Sequence, residues 1–238
     1  LGQKKERESS VAFHNGLIMA TVFALPVTFF GWSLSEKIVP FFLEDPKTTS
    51  LAIDYTSIAF ISLVFSVYSF VFVGFYTGIE KTKIQMIVTI LSNFINLYLN
   101  AALIYGSEGI DLFFKESIPS LSFLKVMWSW THFPAMGVKG AALATLIASA
   151  WMAVHYALYL FSGDLIKRFK VLSFSTDKEM FWGQLRLALP MGIQEFIIAF
   201  GWTFFLKVVG IIGVVELATT HIIFTIMHAS FMPAMGVG

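Results

Sequence analysis

Six apolar stretches, each long enough to cross a lipid bilayer as a helix, limit the fold of this chain more than any other feature. They cover residues 11–32, 52–77, 84–105, 136–161, 182–209 and 214–238. About 20 apolar residues span the hydrocarbon core as a helix. Inside lipid, only helices and closed barrels satisfy every backbone polar group. The sequence therefore predicts an all-α fold, a polytopic membrane helix bundle with six transmembrane helices.

The composition agrees with a membrane protein and argues against several other classes. Hydrophobic residues make up 57% of the chain and charged residues 13%, against about 25% charged residues in a typical soluble domain. The net charge of +1 gives no reason to expect nucleic acid as a partner. Cysteine is absent, and we expect no metal site. The sequence contains neither H-E-x-x-H nor G-x-S-x-G, so an enzyme is not expected. A channel would need a ring of matched polar residues, which the lopsided polar faces do not indicate.

Lysine and arginine are distributed unequally between alternate connections. Nine of them lie in segments 1–10, 78–83 and 162–181, and four lie in the connections on the opposite side. Because basic residues concentrate in cytoplasmic connections, we predict that these three segments are cytoplasmic.

Two long connections differ in character. Residues 162–181 are charged, and we interpret them as a cytoplasmic linker between an N-terminal lobe of four helices, 1–161, and a C-terminal lobe of two, 182–238. Residues 106–135 lie on the opposite side and are rich in aromatic side chains. We interpret them as an interfacial segment on the outer leaflet, and a substrate-gating lid is the alternative.

Three asparagines, Asn93, Asn96 and Asn100, interrupt the apolar run LSNFINLYLN. At about 100° per residue they fall within an arc of about 60° on one helix face. An unpaired amide facing acyl chains costs several kcal/mol, so this face must contact protein or a wet cavity. Hydrogen bonding between helices and a polar cavity for a cation or substrate both remain open.

Polar side chains recur at helical spacing on two further stretches. They are Tyr55, Ser62 and Ser69, seven residues apart, and His221, Thr225 and His228 on one face of the last stretch. We expect both groups to line cavities, and neutral, hydrogen-bonded histidines are the alternative. In the fourth stretch Gly140, Ala144 and Ala148 are four residues apart, which predicts a helix-packing face.

Glu195 is the ionisable residue of greatest interest, because it lies inside an apolar stretch five residues after Pro190. A carboxylate at membrane depth is costly unless it is paired, hydrated or protonated, so we predict that Glu195 binds a coupling cation or proton. Gln194 is adjacent and Trp202 is seven residues on, and we expect both to line the cavity. The alternative is an ion pair with Arg186, although the two lie about 13 Å apart along a helix.

Five stretches, taken together in order and spacing, resemble the multidrug and toxic compound extrusion (MATE) family. They are LGQKK at 1–5, GIEKTKIQMIVTILSNFINLYLNAALIYG at 78–106, MGVKGAALAT at 136–145, LRLALPMGIQEF at 185–196 and ELATTHIIFTIMHASFMPAMGVG at 216–238. The resemblance implies twelve helices in two six-helix lobes that form parallel repeats. The chain would then be an internal fragment that carries helices three to eight.

The resemblance also implies a function, namely the export of organic cations and amphipathic drugs in exchange for Na⁺ or H⁺. No cofactor is expected beyond the coupling ion, and the expected state is a monomer among the lipids of the bacterial inner membrane. Some members of the family have an aspartate where Asn100 stands. Others have a glutamate at the position of Ile198, three residues after Glu195. The alternative is a flippase for lipid-linked saccharides from the related polysaccharide-exporter branch, which would predict a more basic cavity.

Overall fold

The computed structural model describes residues 6–43, 45–117, 119–161 and 165–237. About 90% of the structure is helical, and these residues contain no strands. The helices are α1 (Glu6–Phe42), α2 (Pro46–Gly78), α3 (Thr82–Glu116), α4 (Gly137–Phe161), α5 (Leu165–Phe169), α6 (Lys178–Ile212) and α7 (Val214–Val237), with a 3₁₀-helix at Pro119–Trp128. All of the α-helices except α5 are long and apolar enough to cross a membrane. The prediction of an all-α bundle with six membrane-spanning helices is confirmed.

Several helices continue well past the predicted spans. α1 has 37 residues and reaches Phe42, although the predicted span ends at residue 32. Hydropathy marks the depth of the hydrocarbon, whereas backbone hydrogen bonding can continue through the interface. α2 begins directly afterwards because Asp45 accepts a hydrogen bond from the Thr48 amide at 2.7 Å and Pro46 occupies the first turn. Both are favoured at a helix N-terminus.

The chain divides into two compact units, residues 1–181 and 182–238, and the boundary falls where we predict the linker to end. In the first unit α2 packs against α1 and α4, and α4 also packs against α3. Hydroxyl pairs join α1 to α2: Thr21 to Tyr68 at 2.7 Å and Ser35 to Ser57 at 2.8 Å. Our division into lobes and linker stays a prediction.

The first unit buries small and polar side chains and exposes large apolar ones. Ser69 and Ala144 are completely or almost completely buried, whereas the neighbouring Phe70 is 72% exposed. Membrane bundles have this arrangement, because small residues let helices approach closely while lipid solvates the apolar exterior. Gly140 contacts the backbone carbonyl of Leu103, and Ala148 is buried. The predicted packing face of α4 therefore lies against α3.

An aromatic core lies at one end of the first unit. Phe13, Phe75, Tyr156 and Phe169 belong to it, and it therefore gathers the start of α1, the end of α2, the end of α4, and α5. The three segments predicted to be cytoplasmic adjoin these helix ends, so the structure places them at one end of the bundle. Within those segments, residues 1–5 and 162–164 lie outside the described residues.

At the opposite end α3 bends sharply at Gly106, where the backbone has φ 69° and ψ 176°. Backbone hydrogen bonds close the connection 106–135 on both sides of this bend. The Ser107 amide donates to the Phe133 carbonyl at 3.0 Å, and the Met136 amide donates to the Leu103 carbonyl at 2.8 Å. The connection thus returns to α3 before α4 begins.

Within this connection the 3₁₀-helix is held against α3 through Tyr98. The rings of Tyr98 and Trp128 stack with centroids 5.2 Å apart, and the Trp128 indole donates to the Tyr98 carbonyl at 3.1 Å. The Tyr98 hydroxyl donates in turn to the Met127 carbonyl at 2.8 Å. Phe123 and Trp130 are exposed, as an interfacial segment would require. That role stays a prediction.

In the second unit α6 and α7 follow one another with only Gly213 between them. Trp202 of α6 meets Phe224 of α7 edge to face, with ring centroids 4.3 Å apart. α6 runs through Pro190 without a break in its helical assignment.

Candidate functional site

The amides of α3 form a hydrogen-bonded row at its boundary with α4. The Asn100 amide nitrogen donates to the Asn96 side-chain oxygen at 2.9 Å. Asn96 in turn donates to the Thr145 hydroxyl of α4 at 3.5 Å, and Thr145 donates to the Ala141 carbonyl. Two of the three predicted asparagines are therefore brought together and connected to the next helix.

The same face of α3 continues as a polar seam toward the aromatic core. Ser92 donates to the Ala148 carbonyl at 3.1 Å, and the Thr89 hydroxyl lies 3.2 Å from the Tyr156 hydroxyl. The Tyr156 carbonyl accepts a hydrogen bond from the buried Tyr76 hydroxyl at 2.7 Å. Each of these contacts joins α4 to α2 or α3. This part of the seam therefore serves helix packing.

One atom of the amide row lacks a hydrogen bond among the described residues. The side-chain oxygen of Asn100 is buried and has no hydrogen-bond partner within the described residues. Buried polar atoms nearly always have a partner, and an unsatisfied acceptor costs about 1–3 kcal/mol. An amide oxygen of this kind can accept a hydrogen bond from a ligand or coordinate a hard cation. It cannot carry a proton itself, as a carboxylate can.

The remaining candidates on the first unit occupy two environments. Asn93 and Tyr55 are exposed. Ser62 and Ser69 are buried, and their hydroxyls donate to the Ala59 and Phe65 carbonyls of their own helix. These four side chains do not form one cluster with the amide row.

Glu195 lies at the middle of α6, 17 residues from each of its ends. It is exposed, as is Gln194, and within the described residues its carboxylate has neither an ion pair nor a hydrogen bond. Arg186 lies nine residues earlier in the same helix, so the alternative of a direct ion pair is not realised. At a depth of about 26 Å from either helix end, a charged carboxylate would be costly in lipid.

The candidates on α7 are also exposed and make only local contacts. Thr225 donates to the His221 carbonyl at 2.8 Å, and the His228 ring lies 3.0 Å from the Phe224 carbonyl. Trp202, by contrast, is half-buried against Phe224. The α7 residue that the Trp202 ring contacts is therefore Phe224, and not a histidine.

Sequence reasoning missed several residues that the structure places in important positions. Thr145 completes the amide row, and Tyr156 joins three helices. His14 and Asn15 are buried at the start of α1 and bind the segment that follows α5. A lone threonine, tyrosine or histidine in an apolar helix is a weak signal, because its partner is far away in sequence.

Comparisons with known proteins show what this chain is similar to. A family model described as MatE matches residues 1–102. A protein of Thermotoga maritima named "Probable multidrug resistance protein NorM" is 30% identical over 179 residues, which is 74% of this chain and 32% of the relative. Proteins of the same name from Pseudomonas putida and Agrobacterium fabrum are 24% and 25% identical and cover 93% and 90% of the chain. No solved structure matches the chain significantly.

The six spanning helices and these relatives define a multi-pass helical membrane protein. All three of the relatives named above are bacterial. The family model and these relatives support a transporter of the multidrug and toxic compound extrusion family. The chain spans 32%, 43% and 40% of the length of the three relatives.

Proposed function

We propose that the protein is a secondary active antiporter of the bacterial inner membrane that exports organic cations and amphipathic drugs in exchange for Na⁺ or H⁺. The observation that carries this proposal is the similarity to the family model, together with the names of the relatives. Transport, and not an enzymatic reaction, is the activity we assign. The proposal needs no cofactor other than the coupling ion, and the expected state is a monomer.

Glu195 is the proposed coupling residue. Its carboxylate lies at the middle of an apolar helix and has no ion pair within the described part of the chain. Binding a proton or Na⁺ removes the cost of this charge at membrane depth. If cation binding is tighter in one access state than in the other, it shifts the population between the states. That difference in affinity links the ion gradient to export.

The amide row of Asn96, Asn100 and Thr145 is the proposed polar wall of a cavity in the first unit. Its support is the buried Asn100 oxygen, which has no partner among the described residues. Asn93, Gln194, Tyr55 and the polar faces of α2 and α7 remain proposed cavity-lining positions. Trp202 offers an aromatic face on which an organic cation can bind by cation–π attraction.

Inverted membrane vesicles from cells that produce the protein test this function. The measurement is uptake of a fluorescent organic cation, driven by a Na⁺ gradient or by a pH gradient, for wild type and Glu195→Gln. Glu216→Gln is the matched control, because Glu216 is also an exposed carboxylate of the second unit but lies in the first turn of α7.

Loss of gradient-driven uptake in Glu195→Gln, with uptake retained in Glu216→Gln and equal membrane insertion, supports the coupling role. Unchanged uptake in both variants refutes that role while leaving drug export in place. Wild-type vesicles that move no organic cation under either gradient refute drug export itself. In that case flipping of a lipid-linked saccharide is the activity to assay next.

A further inference from the structure

A polar cavity remote from the amide row opens at the end of the first unit where α1 begins. It has a volume of about 420 Å³ and lies between the first turns of α1 and the segment that follows α5. Pockets of this size hold small ligands or parts of larger ones. Its polar lining comprises Glu6, Arg7, Ser10, Arg168, Lys170, Ser173 and Ser175.

The wall opposite α1 is fixed in place by two buried side chains of α1. His14 Nε2 lies 2.7 Å from the Val171 carbonyl, and the Ser175 amide donates to His14 Nδ1 at 3.3 Å. Asn15 donates to the Asp177 carbonyl at 3.2 Å. Both His14 and Asn15 are almost completely buried. The cavity is therefore part of the fold and not a chance gap beside a loose linker.

The charge inside this cavity is unbalanced. Its lining has three cationic side chains and one carboxylate. Glu6 is paired with Arg168 at 2.5 Å, and Arg168 also lies over the Phe169 ring. Among the residues that the structure describes, neither Arg7 nor Lys170 has an ion pair. Within this described part of the chain, two positive charges thus lack a paired carboxylate.

A hydroxyl group lines the same space. Ser10 belongs to the cavity lining, and within the described residues its hydroxyl makes no hydrogen bond, so it is available to a ligand in the cavity. Two uncompensated cations beside an unused hydroxyl donor match the charge and hydrogen-bonding needs of a phosphate group.

The position of the cavity indicates where that phosphate comes from. Ser10 directly precedes the apolar stretch 11–32, so the cavity lies at the depth of lipid headgroups. Basic pockets on the cytoplasmic side of membrane helices are suited to anionic lipid headgroups. We propose that this cavity binds a phosphate group, supplied by the headgroup of an anionic lipid or by a phosphate-bearing solute, through Arg7, Lys170 and Ser10.

Native mass spectrometry of the purified chain in a neutral detergent tests the proposal. Phosphatidylglycerol, phosphatidylcholine and inorganic phosphate are the probes. Arg7→Gln combined with Lys170→Gln removes the two unpaired charges. Lys81→Gln combined with Lys83→Gln is the matched control, because both lysines are exposed, lie in a segment at the same end of the bundle, and are outside the cavity. Arg7→Lys combined with Lys170→Arg keeps the charges and should keep binding.

Each basic group near an anionic lipid contributes a factor of about five in affinity. Phosphatidylglycerol binding should therefore fall about 30-fold in the Arg7 and Lys170 double variant and should stay unchanged in the Lys81 and Lys83 control. If inorganic phosphate competes with phosphatidylglycerol for wild type but not for the Arg7 and Lys170 double variant, the result also supports the site. It then assigns a free phosphate as the ligand. Equal binding of the two lipids, or equal weakening in both glutamine pairs, overturns the proposal. Thermal unfolding of each variant checks that it is folded.

Discussion

The shape of the connection 106–135 depends directly on Gly106. We predict that Gly106→Ala strongly destabilises this connection. The backbone at this position has φ 69° and ψ 176°, a region that essentially only glycine occupies. It bends α3 at this position and lets the Ser107 amide donate to the Phe133 carbonyl.

The magnitude follows from two separate effects. Placing a side chain at these dihedral angles costs about 1–3 kcal/mol. A methyl group would also lie 2.7 Å from the Ala135 nitrogen and 3.0 Å from the Phe133 oxygen. Both are backbone atoms that cannot rotate away, so overpacking adds about 1–3 kcal/mol. The stiffer unfolded chain offsets about 0.4–1 kcal/mol. We expect a net loss of roughly 1–5.5 kcal/mol in the free energy of unfolding.

Two further glycines separate these effects. Gly137 also has a positive φ, 56°, but an added Cβ would meet no atom within 4 Å, so Gly137→Ala should cost only about 1–2 kcal/mol. Gly74 lies within α2 with open space around it, and Gly74→Ala should be neutral or stabilising by up to about 1 kcal/mol. The predicted order of stability is therefore Gly74→Ala, then Gly137→Ala, then Gly106→Ala.

Reversible unfolding of the purified chain in mixed micelles of increasing dodecyl sulfate content measures this order. Trypsin cleavage after Lys115 and Lys125 reports local opening of the connection. Gly106→Ala should accelerate this cleavage far more than Gly137→Ala does. If the two variants unfold at the same dodecyl sulfate content and are cleaved at the same rate, the close approach at Gly106 is not realised in the protein and the reasoning fails.

Two smaller predictions concern Tyr98, which holds the 3₁₀-helix against α3, and Asp45, which caps α2. Tyr98→Phe keeps the ring stack on Trp128 but removes the hydroxyl that donates to Met127, so cleavage after Lys125 should increase several-fold, whereas Tyr105→Phe on the same helix should change nothing. At Asp45, the side-chain and backbone hydrogen bonds from Thr48 hold the pKa below its ordinary value of 3.8. Its stabilisation of the start of α2 is therefore complete above pH 3.8 and is lost as the pH falls through the lowered pKa. Hydrogen exchange at the Thr48 amide should rise at that pH in wild type, and Asp45→Asn, which still caps the helix but does not titrate, should show no such rise.

The helices of this fold were predictable because lipid leaves the backbone few alternatives. Apolar length alone gave six spans, and the spacing of Gly140, Ala144 and Ala148 gave the packing face of α4. The ends of the helices were not predictable in the same way. Residues 33–42 continue α1 although they contain charges and a proline, because helical hydrogen bonding does not require an apolar environment.

The polar contacts were harder to predict, because each depends on a partner that is distant in sequence. The sequence places Asn96 on a polar face, but Thr145, 49 residues away, is found only once α3 and α4 are packed together. His14 meets Val171 across 157 residues and has no neighbouring motif that announces the contact. Glu195 could be singled out without knowing any partner, because an acid is rare in an apolar stretch.

The amide row shows why two explanations of the polar face of α3, helix packing and a polar cavity, were hard to separate. Asn96 is held by Thr145 and by Asn100, which is what bonding between helices predicts. Asn100 nevertheless keeps a buried oxygen without a partner among the described residues, and Asn93 is exposed. Packing alone would favour a residue that leaves no acceptor unsatisfied, because the unmet hydrogen bond costs about 1–3 kcal/mol, more than the about 0.6 kcal/mol that a membrane hydrogen bond contributes. The excess polarity at Asn100 therefore favours a role in binding over a role in stability.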